Sequence, residues 1–281
     1  MSLFTQPFES PGASPSGGTD AIVFEDVVLS FGRKPVLDGI SFRLARGETK
    51  AIFGIAGTGK STILKLAMGL LKPDSGRIYV LGQEVTAMKE EALFDLRRKI
   101  GMVFQESALF DSLTVEDNVA FRLIEEHVPY EETHKRVLEV LRFVELEHTV
   151  NLFPSELSGG MRRRVAIARA IIAQPEVLLY DSPTGGLDPV TSTTIIELLV
   201  KQRDVYKTSA LLVTHRLQDA FVMATHTFNA TTNRMVQLPE GQHRDLNTNF
   251  LVLRDGKIIF EGTASDLVYS QDEYIKEYLS Q

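Results

Sequence analysis

The sequence predicts an α/β fold built around a mostly parallel central sheet. Short, continuously apolar runs recur at residues 49–53, 100–104, 177–180 and 210–214, and segments with helical spacing separate them. Runs of this kind are typical of parallel strands that helices cover on both faces. With 281 residues, of which 43% are hydrophobic, the chain is long enough for one large α/β domain with a subdomain.

The composition limits the partners that we expect. The formal net charge is −7 and the isoelectric point is about 5.5, whereas nucleic-acid-binding domains are usually basic, so no nucleic-acid partner is expected. The sequence has no cysteine, which rules out disulfides and fits the cytosol. No apolar run approaches the roughly 18 residues that span a bilayer, so we expect any membrane role to depend on a partner protein.

The first part of the chain is predicted to be a leader followed by a flap. Residues 1–20 are rich in Ser, Pro and Gly without a signal or transit pattern, which predicts a disordered leader. Alternating apolar residues then predict strands at 21–29 and 36–44, joined by a turn as an antiparallel flap. Phe31 at this turn can stack on a nucleotide base, a contact worth about 1–3 kcal/mol in other proteins. An ordinary aromatic at a strand end is the alternative.

A phosphate-binding loop follows the next strand. Residues 54–61 match the pattern G-x-x-x-x-G-K-[ST]. The backbone N–H groups of such a loop curl around an anion, and the helix that begins near Gly59 directs its positive end at the same phosphates. Lys60 supplies a point charge, and the Ser61 hydroxyl can bind Mg²⁺. We therefore expect ATP and Mg²⁺ as cofactors. The expected nucleotide contacts besides Phe31 are Gly54, Ile55, Ala56, Gly57, Thr58, Gly59, Lys60, Ser61 and Thr62.

Each of the three other apolar runs ends beside a polar residue that can act on a phosphate. These residues are Gln105, Asp181 and His215. Because ligands bind beyond the carboxyl ends of parallel strands, all three are expected to lie near the phosphate loop. Asp181 and Gln105 are expected to hold Mg²⁺ together with Ser61, Gln105 to orient a water, and His215 to donate to the γ-phosphate. Any one of them could be an ordinary strand-end residue, but their shared position at the ends of the apolar runs favours a phosphate-binding site.

Residues 106–175 are predicted to form an inserted helical subdomain. The spacing of apolar residues predicts helices at 115–126, 131–143 and 162–173. The last helix follows Leu157, Ser158, Gly159 and Gly160. A serine and two glycines at a helix start can form a second anion-binding site, although a plain helix cap is the alternative.

Together these motifs resemble the ATP-binding subunits of ABC transporters over residues 21–263. The motifs that match in order and approximate spacing are residues 54–61, Gln105, 157–160, Asp181, 186–188 and His215. The resemblance implies a P-loop NTPase fold and an ATPase coupled to transport. It also implies a head-to-tail homodimer in which residues 157–160 of one copy close over the ATP of the other. Asp188 would couple the two sites, and the helical subdomain would hold a transmembrane permease.

A narrower resemblance points to the branch of Mce/Mla-type phospholipid transport across the bacterial envelope, also known from organic solvent tolerance. Residues 108–121, 157–170 and 272–279 are similar to that branch. It implies a permease and an Mce-domain lipid-binding protein as partners, and a peripheral position on the cytoplasmic face of the inner membrane. The alternatives are the ATPase of another ABC transporter, for lipoprotein export or small-solute import, and a slow ATP-dependent dimerisation switch.

Two segments depart from the family pattern. Ser182 occupies the catalytic position where the family has a glutamate that polarises water, and loss of a positioned base costs about 10²–10⁴-fold in rate. We therefore expect slow hydrolysis, with His215 and Gln105 positioning the water or another carboxylate substituting. Residues 225–247 are longer and more polar than the family's link between the helix after His215 and the next strand, which predicts a surface loop, with a partner contact as the alternative.

The end of the chain is predicted to contain a hairpin after residue 250 and a helical tail at 264–281. This tail caps the domain or meets the second copy.

Overall fold

The computed structural model of the chain describes residues 20–32, 34–239 and 246–279. The predicted leader lies outside the described residues except for Asp20, which begins the first strand. The strands are β1 (Asp20–Phe31), β2 (Lys34–Ala45), β3 (Thr49–Phe53), β4 (Ser75–Val80), β5 (Gln83–Glu84), β6 (Ile100–Val103), β7 (Val177–Asp181), β8 (Ser209–Val213), β9 (His226–Asn229), β10 (Arg234–Gln237), β11 (Thr248–Arg254) and β12 (Lys257–Gly262). The α-helices are α1 (Lys60–Ala67), α2 (Glu90–Arg97), α3 (Val115–Glu125), α4 (Tyr130–Phe143), α5 (Gly159–Ile171), α6 (Pro189–Tyr206), α7 (Leu217–Thr225), α8 (Ala264–Val268) and α9 (Glu273–Leu279).

The central sheet has the strand order β12-β11-β3-β8-β7-β6. All its neighbouring strands run parallel except β12, which is antiparallel to β11. Every residue of β3 and of β8 is buried, as expected for strands that are covered on both faces. The four apolar runs are therefore confirmed as strands, and the fold is α/β with a mixed, mostly parallel sheet.

The predicted antiparallel flap is a four-stranded sheet of order β2-β1-β4-β5. Its inner face packs on α1 and on the central sheet through one continuous apolar cluster. The rings of Phe24 and Phe42 stack across β1 and β2 with their centroids 4.7 Å apart. This packing holds the flap beside the helix that begins at the phosphate loop.

The chain between β6 and β7 is helical, as predicted, and contains α3, α4 and α5. Asn118 of α3 is fully buried, and its amide donates hydrogen bonds to the carbonyl oxygens of Phe110, Leu113 and Thr114. This one side chain therefore fixes the turn that leads into α3. The helix predicted at residues 162–173 starts earlier than expected, so that prediction is wrong at its first residue. Helix α5 begins at Gly159, because the Ser158 side chain caps it.

The prediction of a surface loop at residues 225–247 is wrong for its first half. Strands β9 and β10 pair antiparallel and place Phe228 opposite Met235. Both side chains pack against the core that contains α6. The ammonium of Lys201 in α6 lies 5.4 Å from the centre of the Phe228 ring. Residues 240–245 lie outside the described part of the chain.

The end of the chain packs on its own sheet. The hairpin of β11 and β12 is confirmed, and its turn lies at residues 255–256. Leu267 of α8 and Ile275 of α9 are buried in a cluster with Phe250 of β11. In the part of the chain that the structure describes, no helix has the length and apolar character needed to cross a membrane.

We expect Gly101→Ala to lower the free energy of unfolding by about 1–3 kcal/mol, because an added methyl group overpacks this contact. A Cβ atom at Gly101 in β6 would lie 2.5 Å from the carbonyl oxygen of Ala170 in α5 and 2.7 Å from the Leu178 side chain. Chemical denaturation measures the change. The matched control is Gly159→Ala, where the nearest atom would be 3.7 Å away. Equal stability of the two variants would contradict the close packing of α5 on β6.

Candidate nucleotide-binding site

The predicted phosphate loop connects β3 to α1 and has the backbone that an anion cradle needs. Gly54 and Gly59 have φ angles of +148° and +93°, a region that side chains rarely adopt. A Cβ atom at Gly54 would lie 2.4 Å from the carbonyl oxygen of Leu253. At Gly57, by contrast, a Cβ would meet no described atom within 4 Å, so this side of the loop is open. Residues 54–59 therefore form a fixed curl with one open face.

Lys60 lies inside this curl. Its ammonium donates hydrogen bonds of 2.7 Å to the carbonyl oxygens of Gly54 and Ile55. Burial lowers the pKa of Lys60, and the charge of Asp181 opposes that shift. The cation is therefore held at the loop, where it would face the phosphates.

Asp181 and Ser61 come together as the sequence predicts. The Ser61 hydroxyl donates a 2.8 Å hydrogen bond to Asp181 Oδ1. A hydroxyl and a carboxylate oxygen are suitable ligands for Mg²⁺, which is usually held by one or two protein oxygens together with phosphates and water. Among the described residues no group of three or more His, Cys, Asp or Glu side chains could hold a metal. The donor set of Ser61 and Asp181 fits a nucleotide-bound Mg²⁺.

Gln105 and His215 lie at the same edge of the sheet. Strand pairing places Val103 beside Tyr180 and Asp181 beside Val213, so the three strands end at one level. Both predicted side chains are exposed. His215 also acts on a buried neighbour: burial raises the pKa of Asp219, while Thr184, Arg216 and His215 lower it.

Ser182 follows Asp181 in a tight, buried turn. Its φ angle is +46°, which is uncommon for a residue with a side chain. The backbone N–H of Ser182 donates to Val213 at 2.8 Å, and its carbonyl oxygen accepts from Gly185 at 2.9 Å. A methyl group on Gly185 would lie 3.5 Å from Gln105 Cγ, so Gln105 runs past this turn. Backbone hydrogen bonds therefore hold the position of the expected base, but the side chain there is a hydroxyl and not a carboxylate.

The second candidate anion site lies at the start of α5. The Ser158 hydroxyl accepts a 3.2 Å hydrogen bond from the N–H of Met161, which identifies it as the helix cap. Ser158 and Gly159 are exposed, whereas Leu157 is buried in the helical core. Gly160 packs so closely on Thr191 that a Cβ would lie 2.4 Å from its methyl group.

Thr191 is a residue of this region that the sequence analysis did not single out. Its N–H and hydroxyl donate to the two oxygens of Asp188, at 3.0 and 2.5 Å. These hydrogen bonds lower the pKa of Asp188. The signal in the sequence is a helix start, an Asp followed by Pro189, with Thr191 three residues after the cap. Through Thr191, Asp188 and the start of α5 form one surface patch.

Phe31 ends β1 and is 60% exposed, so its ring is accessible for stacking on a nucleotide base.

The chain is a P-loop ATPase. This class is defined by the strand, the glycine-rich loop and the helix start that follow one another here, together with the paired oxygens of Ser61 and Asp181. A family model described as ABC transporter matches residues 37–185. The chain belongs to this family and is an ATP-binding subunit whose ATP hydrolysis is coupled to transport.

Three curated relatives illustrate the range of the family. The chain is 31% identical over 259 residues to the intermembrane phospholipid transport system ATP-binding protein MlaF of Haemophilus influenzae, covering 92% of this chain and 89% of MlaF. It is 39% identical over 263 residues to protein trigalactosyldiacylglycerol 3, chloroplastic, of Arabidopsis thaliana, covering 90% of this chain and 71% of that protein. It is 39% identical over 218 residues to the methionine import ATP-binding protein MetN of Brucella abortus, covering 75% of this chain but 59% of MetN.

Solved structures of ATP-binding cassettes have the same fold. A dimeric cassette in a post-hydrolysis state, bound to ADP and Pi, is 31% identical and superimposes with a TM-score of 0.71 over 86% of this chain and 98% of its own. CbiO1 of Clostridium perfringens, part of the ABC transporter complex CbiONQ, is 28% identical, with a TM-score of 0.73 over 94% and 96%.

We expect Gly160→Ala to destabilise the protein by about 1–3 kcal/mol, because the new methyl group collides with the Thr191 methyl group. The double variant Gly160→Ala with Thr191→Ser removes the Thr191 methyl group and keeps the hydroxyl that donates a hydrogen bond to Asp188. Thermal unfolding of both variants measures the effect. If the double variant is no more stable than Gly160→Ala, contact with the Thr191 methyl group is not the cause of the lost stability.

Proposed function

We propose that this chain is the ATPase of a transporter that moves phospholipids between the membranes of a bacterial envelope. The observation that carries the proposal is the end-to-end correspondence with MlaF, which spans 92% of this chain and 89% of MlaF. The match to MetN has higher identity, but it leaves 41% of MetN without a counterpart, since 59% is covered. The proposed partners are a transmembrane permease and an Mce-domain lipid-binding protein, with the chain at the cytoplasmic face of the inner membrane.

The proposed working form is a head-to-tail homodimer. One chain carries two helix ends suited to anions, at the starts of α1 and α5. In the proposed dimer each ATP lies between residues 54–62 of one copy and 157–160 of the other. Asp188 then lies at the same interface, because Thr191 holds it beside Gly160. A cassette that is 31% identical to this chain was solved as a dimer bound to ADP and Pi, which supports a dimeric working form.

The proposed permease surface is an exposed aromatic patch on the helical segment. The rings of Phe110 and Phe121 lie 4.9 Å apart and are both exposed, as is Ile124 one turn further along α3. Exposed apolar groups clustered in this way mark protein interaction sites. The patch borders α2, because Arg122 of α3 donates to the carbonyl oxygen of Arg98.

In the proposed reaction, Ser61, Asp181 and Gln105 would hold Mg²⁺, which would neutralise phosphate charge together with Lys60. Phe31 stacks on the base, and Gln105 and His215 position the attacking water. Ser182 supplies no carboxylate, so hydrolysis is slow. The same feature favours one alternative, an ATP-dependent clamp that closes without rapid turnover.

We expect Ser182→Glu to raise kcat for ATP at least tenfold, because it restores a carboxylate at the position that polarises water. The measurement is phosphate release by the complex purified from membranes. Ser182→Gln has the same length without the charge and serves as the matched control. Turnover of Ser182→Glu equal to or below that of the wild type would show that this position is not the limiting defect.

We expect the chain to co-purify with a permease whose bound ligand is a phospholipid. Mass spectrometry of the detergent-purified complex identifies the ligand, and phospholipids enriched over those of empty detergent micelles support the proposal. Stimulation of ATP hydrolysis by methionine or another small solute, without lipid enrichment, would favour the import alternative. A tight ATP-dependent dimer that captures no membrane protein would favour the clamp.

A further inference from the structure

Arg163 of α5 carries a buried charge that is held by backbone carbonyls. The residue is 4% exposed. Its Nη1 donates a 2.6 Å hydrogen bond to the carbonyl oxygen of Phe104, and its Nη2 donates to that of Gly185 at 3.3 Å. Phe104 directly precedes Gln105, and Gly185 closes the turn of Ser182. One guanidinium therefore joins the two loops at the edge of the sheet.

Charge compensation does not explain this arginine. Within the described ranges, the hydrogen bonds of the Arg163 guanidinium go to backbone carbonyl oxygens and not to a carboxylate, and its Nε has no hydrogen-bond partner. Burial lowers the pKa of Arg163, and the more distant Glu106 opposes that shift. A buried cation without a carboxylate partner costs stability. The fork of donors is suited to holding two carbonyls at a fixed separation.

A second arginine of α5 holds the other end of the same loop. Arg169 donates hydrogen bonds of 2.8 and 2.7 Å to the carbonyl oxygens of Ser107 and Ala108. Both residues have positive φ angles, +63° and +47°, a strained conformation that surrounding contacts must maintain. The segment 104–108, which contains Gln105, is thus attached to α5 at both ends.

We propose that Arg163 is a positioning residue that couples the two ATP sites of the dimer. The inference rests on the proposed head-to-tail arrangement, in which Ser158 at the start of α5 meets the partner's ATP. Movement of α5 on closure is then passed by Arg163 to Gln105 and to the Ser182 turn of the same chain. The ATP bound by one chain is therefore aligned with the water-positioning groups of that chain only when α5 of the same chain has contacted the ATP bound by the partner.

The first test compares Arg163→Gln with Arg164→Gln in the full chain purified with its permease. Arg164 is the next residue of α5, but it donates to Val144 at 3.2 Å, away from Gln105. We expect Arg163→Gln to lower kcat about 10- to 100-fold, since small misplacements of catalytic groups cost this much, while the Kd for ATP changes less than about twofold. Arg163→Lys restores part of kcat, because an ammonium reaches one carbonyl at a time. Equal kcat in Arg163→Gln and Arg164→Gln would overturn the proposal.

The second test measures coupling independently of turnover. Hydrogen exchange of residues 104–108 is followed in the wild type and both variants, with and without Mg-ATP. We expect ATP to slow exchange in the wild type and in Arg164→Gln, and to have no effect in Arg163→Gln. Loss of the response in both variants, or its absence in the wild type, would overturn the proposal.

A third variant separates this proposal from the assignment of the ATP site. Lys60→Ala removes the cation of the phosphate loop, so it is expected to weaken ATP binding at least tenfold. If Lys60→Ala binds ATP as the wild type does, the proposed nucleotide site itself is wrong. If Lys60→Ala fails to bind and Arg163→Gln behaves as Arg164→Gln does, only the role of Arg163 is wrong.

Discussion

The hydrogen bond from Ser61 to Asp181 is the contact on which the nucleotide site depends. It joins the start of α1 to the end of β7 across the intervening strand β8. Such a bond is possible because the parallel register brings the three strands to one level, with Ile52 and Asp181 both paired to Val213. Every residue of β3 and β8 is buried, so packing in the core holds these strands in register. The polar residues of the nucleotide site lie at the carboxyl ends of the strands.

Local patterns explain why the sheet and the phosphate loop could be predicted. A continuous apolar run and a glycine-lysine motif are each visible without knowing what packs against them. The hairpin of β9 and β10 was missed for the opposite reason. Phe228 and Met235 lie seven positions apart in a mostly polar stretch, and they form one partly buried face only when pairing places them opposite each other against the core that contains α6. The roles assigned to Gln105, His215 and Asp188 remain predictions, although their positions are now known.

Arginines that donate to backbone carbonyls connect the parts of this chain, and no sequence pattern shows them. Arg97 donates to Met68 and Gly69 beyond the end of α1, and Arg203 donates to Met223 and His226 at the end of α7. Arg163 makes the same kind of contact between the loops of the site. A guanidinium has five donors in a rigid plane, so it can bridge carbonyls from segments distant in sequence. Which carbonyls it meets is decided by the tertiary fold.

The serine at position 182 changes the chemistry of the turn and leaves its geometry intact. The backbone bonds from Ser182 to Val213 and from Gly185 to Ser182 fix the turn without the side chain. A rate loss of about 10²–10⁴-fold corresponds to a barrier raised by about 2.7–5.4 kcal/mol. In the proposed dimer, ATP binding and closure depend on residues 54–62 and 157–160, whereas the described backbone hydrogen bonds of Ser182 go to Val213 and Gly185. In the proposed dimer, slow hydrolysis therefore prolongs the closed, ATP-bound state without weakening it.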